Sequence, residues 1–252
     1  MTDLSWLTAR PLAHRGLHDE PPGIIENTPT AFAAAIASNY GIETDLQVSA
    51  DGEAMVHHDD VLGRLTEGTG ALAEMTAAQL KAVPFRSTAD RMITLGELCD
   101  LVAGRVTLLL ELKSQREAHT RSDHRLASRI AAVLQGYRGP VAAMSFDPAL
   151  MAAVRAADDK LVRGIVAEKS SHSARSGRLW HDMTRLAGYF AHVRRSGPQF
   201  LAYSGLDLPA FWPTLTRRIF HRPLLTWTVR TAFDRERARQ FADQIIFEGF
   251  RP

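Results

Sequence analysis

The sequence predicts an α/β protein built as a closed (β/α)8 barrel, a TIM barrel, with a small insertion after strand two. Three observations predict it. Short apolar runs alternate with helical patterns along the chain, as in a parallel sheet covered by helices. Eight such units fit within 252 residues, the usual size of this barrel. No glycine-rich G-x-G-x-x-G follows the first run, so the main signal of an open doubly wound sheet is missing. Residues 1–252 form one barrel domain on this reading, and residues 50–100 carry the insertion.

The first strand is brief, Pro11 to Ala13, and ends at His14-Arg15-Gly16. After the loop through Glu26-Asn27, Thr28 caps a helix with Pro29 at its first position. Phe32 and Ile36, four apart, face the core, and Gly41 is expected to end that helix in a left-handed conformation. Strand two runs from Ile42 to Val48 with strict alternation: Ile42, Thr44, Leu46 and Val48 point one way, Glu43, Asp45 and Gln47 the other. A turn at Asp51-Gly52 leads into a β excursion, Ala54 to His58, then two short helices opened by the capping boxes Thr76-x-x-Gln79 and Thr94-x-x-Glu97.

Strand three, Val106 to Lys113, is the most apolar. A helix carrying Leu126, Ile130, Val133 and Leu134 follows, then strand four, Val141 to Phe146. Asp147-Pro148 starts the next helix, and strand five is Leu161 to Val166. Residues 168–198 are polar and Arg-rich, with a helical stretch near Leu179 to Phe190 that has the character of a lid. Strand six is Phe200 to Ser204, followed by a helix with Phe211, Leu215 and Ile219. Strand seven is Pro223 to Val229, and the helix Arg230 to Ala242 leads to strand eight, Gln244 to Phe247.

Composition narrows the function classes. Lys+Arg 30 against Asp+Glu 28 gives a net charge of +2, too balanced for a nucleic-acid binder. No apolar run reaches membrane-spanning length, and the start lacks the basic-then-apolar pattern of a signal peptide. The single cysteine, Cys99, excludes an intrachain disulfide and fits a reducing compartment. The expectation from composition is a cytoplasmic protein with no integral membrane segment. Cys99 itself is expected to be a small apolar residue of a capped helix.

Chemistry concentrates where this barrel keeps its active site, at the C-terminal ends of the strands. His14, Arg15 and Gly16 end strand one; Glu43 and Asp45 are placed in the C-terminal part of strand two; Glu111 and Lys113 end strand three. Two carboxylates on one strand face repel, and a hard divalent cation between them removes the conflict. Of the adjacent His57 and His58, only one can face the site in an extended chain. Lys113 serves either the site or a structural ion pair with Glu111. Trp227 and Phe146 sit at strand ends, as core or as a rim beside a ligand, while Arg194-Arg195 and Arg217-Arg218 are expected surface charge.

The motifs in order are AHRG at 13–16, ENT at 26–28, GIETDLQVSADG at 41–52, HDDVLGR at 58–64, ITLGEL at 93–98, LELK at 110–113, SFDP at 145–148, WTV at 227–229 and the closing QIIFEGFRP. With them the chain resembles the glycerophosphodiester phosphodiesterases, relatives of the phosphatidylinositol-specific phospholipases C. The resemblance spans nearly the whole chain. It implies one divalent metal ion, Mg²⁺ or Ca²⁺, on Glu43, Asp45 and Glu111. It implies His14 and His58 as the acid–base pair, because Leu62 and Arg64 count back to His58. Arg15 would bind the phosphate, Lys113 would assist, and Trp227 joins the substrate-binding set.

Three departures stand out: Arg230 where relatives carry Asn, Phe247-Glu248 where they carry T-D, and Ile93 where they carry Pro. None lies at a metal or histidine position. The expected reaction is hydrolysis of a glycerophosphodiester, the nucleophile being water or the substrate's own hydroxyl, the latter by analogy with the phospholipases. His14 is assigned as base and His58 as acid. Two other readings are phospholipase D-like cleavage of lysophospholipids or sphingomyelin, with Phe211, Trp212 and Phe220 as an apolar channel, and a non-catalytic polyol-phosphate sensor.

Overall fold

The fold comes from a computed structural model, which describes residues 3–18, 23–114, 121–169 and 193–252. Nine strands form one sheet: β1 Leu12–His14, β2 Gly41–Val48, β3 Ala54–Val56, β4 Leu108–Leu112, β5 Val141–Ser145, β6 Val162–Ala167, β7 Phe200–Ser204, β8 Leu224–Val229 and β9 Gln244–Phe247. All but β3 pair in parallel with their neighbours, and β1 pairs with both β2 and β9. The eight parallel strands therefore close on themselves as the expected barrel, with no exposed edge left to protect. β3 alone runs antiparallel, along the outer part of β2.

Closure sorts side chains by the two-residue period of a strand. Leu12, Leu109, Ala142, Met144, Val166, Phe200, Ala202, Leu225 and Ile246 meet inside the barrel. Their sequence neighbours Ile42, Leu46, Leu108, Leu110 and Leu112 point outward into the layer of helices. Glu43 and Asp45 thus share the inward face with Leu109, above the apolar filling. The bottom of the barrel is plugged by a short N-terminal helix, α1 (Ser5–Thr8), whose Leu7 packs on the inner cluster. Four residues without caps gave no periodic signal, so the sequence did not reveal it.

The first barrel helix, α2 (Pro29–Ala37), starts at the expected Thr28 cap but does not end at Gly41. Asn39 takes the left-handed position, φ 61°, which Asn tolerates through its short polar side chain. Gly41 instead begins β2, where an added Cβ would press on Leu12 at 3.1 Å. Both capping boxes of residues 50–100 form, on α3 (Ala77–Ala82) and α4 (Leu95–Val102). Their surroundings differ. Leu80 of α3 packs with Ile25, Met55, Leu62, Leu72, Phe85 and Met92 in a separate cluster, whereas Leu95, Leu98, Cys99 and Val102 of α4 pack in the outer layer of the barrel. Burial raises the Cys99 thiol to about 12, which keeps it inert.

Helices α5 (Arg121–Leu134) and α6 (Pro148–Ala157) bury the expected Leu126, Ile130 and Leu134 and use Asp147 as the cap of α6. The expected helix at 179–190 lies outside the described residues. In α7 (Phe211–Arg218) Phe211 and the following Ile219 are exposed, 69% and 63%, and Pro213 is the buried residue. The apolar spacing there does not mark the core-facing side. The last helix, α8 (Ala232–Phe241), has a Thr231–Asp234 capping box that the sequence reading passed over. No described helix is long and apolar enough to cross a membrane.

The inner layer is packed tightly around Phe200. A Cβ on Gly164 would lie 2.3 Å from the Phe200 ring. Gly164→Ala is therefore expected to cost about 1–3 kcal/mol by overpacking, read as a lower urea midpoint with an unchanged slope.

Candidate active site

The barrel registry brings the predicted site residues together. His14 is level with Glu43 across the β1–β2 pair, and Asp45 is level with Glu111 across β2–β4. Glu43, Asp45 and Glu111 each offer a carboxylate oxygen within 4.8 Å of the others. The first two are 1% exposed. Three buried acids so close repel, and the protein answers in two ways. Lys113 places its ammonium 2.8 Å from Asp45 Oδ1 and also contacts Glu111. Arg15 places Nε 3.2 Å from Asp45 Oδ2.

The charges settle unequally. Burial opposes ionisation of Asp45, but Lys113 and Arg15 outweigh it and hold this carboxyl well below its usual range. Burial and the neighbouring Asp45 and Glu111 push Glu43 well above its own. Burial alone would lower Lys113, yet Asp45 and Glu111 raise it. Among the described residues Glu43 Oε1 has no hydrogen-bond partner, and its Oε2 accepts only the Arg15 backbone N–H at 3.1 Å. A buried carboxylate oxygen without a donor is costly. An all-oxygen trio with such an atom fits a hard divalent cation, which takes six or more oxygen ligands.

The loop bearing Glu26 and Asn27 supports this centre. Asn27 donates to Asp45 Oδ2 at 2.9 Å while Thr44 Oγ1 donates to Asn27 Oδ1 at 2.7 Å, so the amide cannot turn. Both Arg15 and Asn27 have positive φ, 58° and 56°, a strained backbone that clusters at functional sites. Glu26 accepts from Arg15 Nη1 at 2.8 Å and from Arg64 Nη2 at 2.6 Å.

Each histidine of the predicted pair is held by a carboxylate. His58 Nδ1 is 2.7 Å from Asp59 Oδ1, and Arg64 Nε donates to Asp59 Oδ2 at 2.6 Å. His14 Nδ1 bonds Glu248 Oε2, and Arg230 Nε donates to Glu248 Oε1 at 2.5 Å. A carboxylate only accepts, so a proton sits on each Nδ1 and Nε2 is left as the nitrogen for chemistry. His14 Nε2 lies 3.9 Å from Glu43 Oε2. His57 faces away: it is 2% exposed, with its ring 6.4 Å from Phe85 in the insertion cluster.

Glu248 and Arg230 are two of the three sequence departures, and they meet at His14. Sequence reasoning missed this, together with Asp59, Asn27 and Glu26. The ENT and HDD runs carried the last three in plain view; nothing local marked Glu248, 234 positions from His14.

Burial would raise the Glu248 carboxyl, but the hydrogen bonds from His14 and Arg230 dominate and hold it at about 2, below its ordinary 4.5. A depressed folded-state pKa stabilises above the unfolded value and is lost as pH falls through the folded one. Glu248→Gln should therefore cost about 1–3 kcal/mol at pH 7. Its stability gap to the parent should shrink from about pH 4.5 down to about 2, measured by denaturant titration across that range.

These groups open onto one cavity of about 470 Å³ at the C-terminal strand ends. His14, Arg15, Glu43, His58, Glu111 and Lys113 line one side; Met144, Phe146, Val166, Leu206 and Trp227 supply apolar wall. Trp227 packs edge-on to Phe146, ring centres 5.5 Å apart, and its buried indole Nε1 has no partner among the described residues. The rim carries Glu168, Arg230 and Asp234. Arg217 is surface charge as expected, paired with Asp243 at 2.7 Å.

A sequence profile described as the glycerophosphoryl diester phosphodiesterase family matches residues 14–246. A glycerophosphodiester phosphodiesterase of Caldanaerobacter subterraneus subsp. tengcongensis is 32% identical over 111 residues, 41% of this chain and 44% of the relative. Glycerophosphodiester phosphodiesterase 1 of Bos taurus is 40% identical over 72 residues, 28% of this chain and 20% of the relative. The chain thus spans less than half the length of these curated relatives. Among solved structures, a protein of Silicibacter pomeroyi DSS-3 with a provisional glycerophosphoryl diester phosphodiesterase name superposes with a TM-score of 0.75 at 25% identity, covering 94% of this chain and 89% of that one. An Oleispira antarctica phosphodiesterase in complex with the product sn-glycerol-3-phosphate has the same fold, with a TM-score of 0.75 at 19% identity over 96% and 94% of the two chains.

Proposed function

The chain belongs to the glycerophosphoryl diester phosphodiesterase family, and from that premise we propose that it hydrolyses glycerophosphodiesters, the deacylated phospholipids, to glycerol 3-phosphate and an alcohol. The observation that carries the reading is one cavity lined by Glu43, Glu111 and two carboxylate-held imidazoles, with Asp45 buried beside the two acids. The product complex of the Oleispira antarctica protein, on the same fold, supports the glycerol phosphate half.

Glu43, Asp45 and Glu111 would hold the divalent ion, Mg²⁺ or Ca²⁺, both of which suit oxygen ligands. Such an ion supplies charge neutralisation at a non-bridging phosphate oxygen. Arg15, held at Nη1 by Glu26 and with Nε beside Asp45, presents its guanidinium to the phosphate in a fixed orientation. Lys113 balances the acids beneath and faces the same cavity. The Trp227 indole N–H is available to a substrate oxygen.

His14 Nε2 takes the proton of the attacking hydroxyl, with Glu248 stabilising the imidazolium that forms. His58 enters protonated and gives its Nε2 proton to the departing alcohol, with Asp59 keeping the ring in place. The attacking group is the substrate's neighbouring hydroxyl or water, and the same pair of imidazoles serves either. With the hydroxyl, the roles exchange when water opens the cyclic phosphate.

The phospholipase D-like reading has less support. Phe211, Trp212 and Phe220 do not line the cavity among the described residues, and about 470 Å³ suits a polar head group better than an acyl chain. The test is release of glycerol 3-phosphate from glycerophosphocholine, glycerophosphoethanolamine, glycerophosphoglycerol and lysophosphatidylcholine, each with Mg²⁺ and with Ca²⁺. Turnover of the water-soluble diesters well above that of the lysolipid is expected. The reverse order, or no release from any of them with either ion, would overturn it.

A further inference from the structure

Beside the all-oxygen centre stands a second trio of different chemistry. His14, His18 and Glu248 each offer a ligand atom, all within 4.8 Å of one another. We propose that they form a second cation site, selective for borderline transition ions of the zinc type, whose occupation takes His14 out of acid–base service.

The geometry is fixed by backbone, not by chance rotamers. After β1 the chain turns through Arg15 and Gly16, φ 58° and 83°. The Leu17 N–H is pinned to Ala31 O of α2 at 3.0 Å, and the His18 N–H to Gly16 O at 3.0 Å. Both imidazoles then flank the end of β9. There the Glu248 N–H donates to Val229 O at 3.1 Å, and Arg230 occupies Glu248 Oε1. Glu248 Oε2 is left to face the rings: it bonds His14 Nδ1 and lies 3.9 Å from His18 Nε2. That His18 nitrogen is buried without a hydrogen-bond partner among the described residues. An unpartnered buried nitrogen beside a carboxylate is the feature a metal ligand would leave when the ion is away.

Two nitrogens and one oxygen make the donor set of zinc-type ions, not of Mg²⁺ or Ca²⁺. A tetrahedral ion needs its donors a little over 3 Å apart, at about 2.0–2.1 Å from each nitrogen. The trio reaches this by opening the His14–Glu248 contact and closing the His18–Glu248 gap by a fraction of an ångström. The nearby cations do not forbid it. Arg15 is matched by Glu26 and Asp45, and Arg230 is 58% exposed and screened by water.

The consequence for His14 follows from proton bookkeeping. Nδ1 can ligate only through its lone pair, so the single ring proton moves to Nε2. Nε2 is the nitrogen that faces Glu43 and serves as base in the proposed reaction; with a proton on it, it can only donate. The inhibition, but not the site, rests on that proposed reaction.

Two measurements separate these. With Mg²⁺ in excess to fill the oxygen centre, Co²⁺ added to the protein should give the visible absorption of a low-coordinate nitrogen-ligated ion. His18→Ala and His18→Gln should abolish it, and Glu111→Gln should keep it. No absorption in the parent, or equal absorption in the His18 variants, would overturn the site whether or not the protein hydrolyses anything. In the second measurement, turnover of glycerophosphocholine with Mg²⁺ is followed against buffered free Zn²⁺. His18→Ala, which leaves His14 and His58 in place, should turn over normally without zinc and need at least about tenfold more Zn²⁺ for half inhibition. Equal sensitivity of parent and variant would mean that zinc acts at the three-acid centre and would overturn the inhibitory role.

Discussion

Replacing His58 by Ala should lower kcat on glycerophosphocholine by about 10²–10⁴-fold with KM little changed, and His14→Ala should do the same. The reason is that each ring presents Nε2 to the cavity while its Nδ1 is spent on a carboxylate. Neither Asp59 nor Glu248 can substitute, because each is already committed to an arginine. The two losses should differ in rescue. The His58 side chain is 32% exposed and that of His14 only 13%, so added imidazole should restore part of the turnover in His58→Ala and much less in His14→Ala. Near-normal kcat in either variant would remove the two-histidine scheme. A rise in KM alone would reassign that histidine to binding.

Asp45 and Glu43 should behave oppositely in stability, although the proposed reaction uses both. Asp45→Asn removes the carboxylate shared by Lys113, Arg15 and Asn27. Breaking a buried pair from one side costs about 3–5 kcal/mol, so the metal-free variant should melt far below the parent. Glu43→Gln removes a charge that Asp45 and Glu111 oppose and keeps an oxygen for the Arg15 N–H. It should be about 1 kcal/mol more stable without metal, a rise of about 2–4 °C in Tm. Added Mg²⁺ or Ca²⁺ should raise the parent's Tm through binding to the folded state and leave both variants unmoved. Calorimetry of the three proteins, with chelator and with each ion, reads all of this. Equal destabilisation by the two substitutions would contradict the unequal charge assignment.

Much of this centre can be read along the chain because the barrel turns strand period into geometry. Glu43 and Asp45 share a face by alternation, and Glu111 and Lys113 end the next parallel strand, so registry alone sets Asp45 beside Glu111. The family resemblance, counting back from Leu62 and Arg64, points to His58 rather than its neighbour; in the structure His58 lines the cavity and His57 lies in the insertion cluster. What escaped depends on closure. Glu248 reaches His14 only because β9 returns to β1, and no local pattern announces a contact between the two ends of a chain.

Other misses have local causes. Asn39 replaced Gly41 at the helix end because Asn also tolerates a left-handed backbone. The helix at Phe211 showed apolar spacing on a face that the fold leaves exposed. Hydrophobic period signals burial only when a partner layer exists on that side.

In the proposed reaction the imidazoles depend on a divalent ion held by Glu43, Asp45 and Glu111 to activate the phosphorus centre. This dependence is tested most directly by stripping the protein with chelator, exchanging the chelator away, and following glycerol 3-phosphate release from glycerophosphocholine as Mg²⁺ or Ca²⁺ is returned. Release should fall by at least about 10²-fold and return on adding one of the ions, with no return in Glu43→Gln. Hydrolysis undiminished by complete removal of divalent ions would contradict the account.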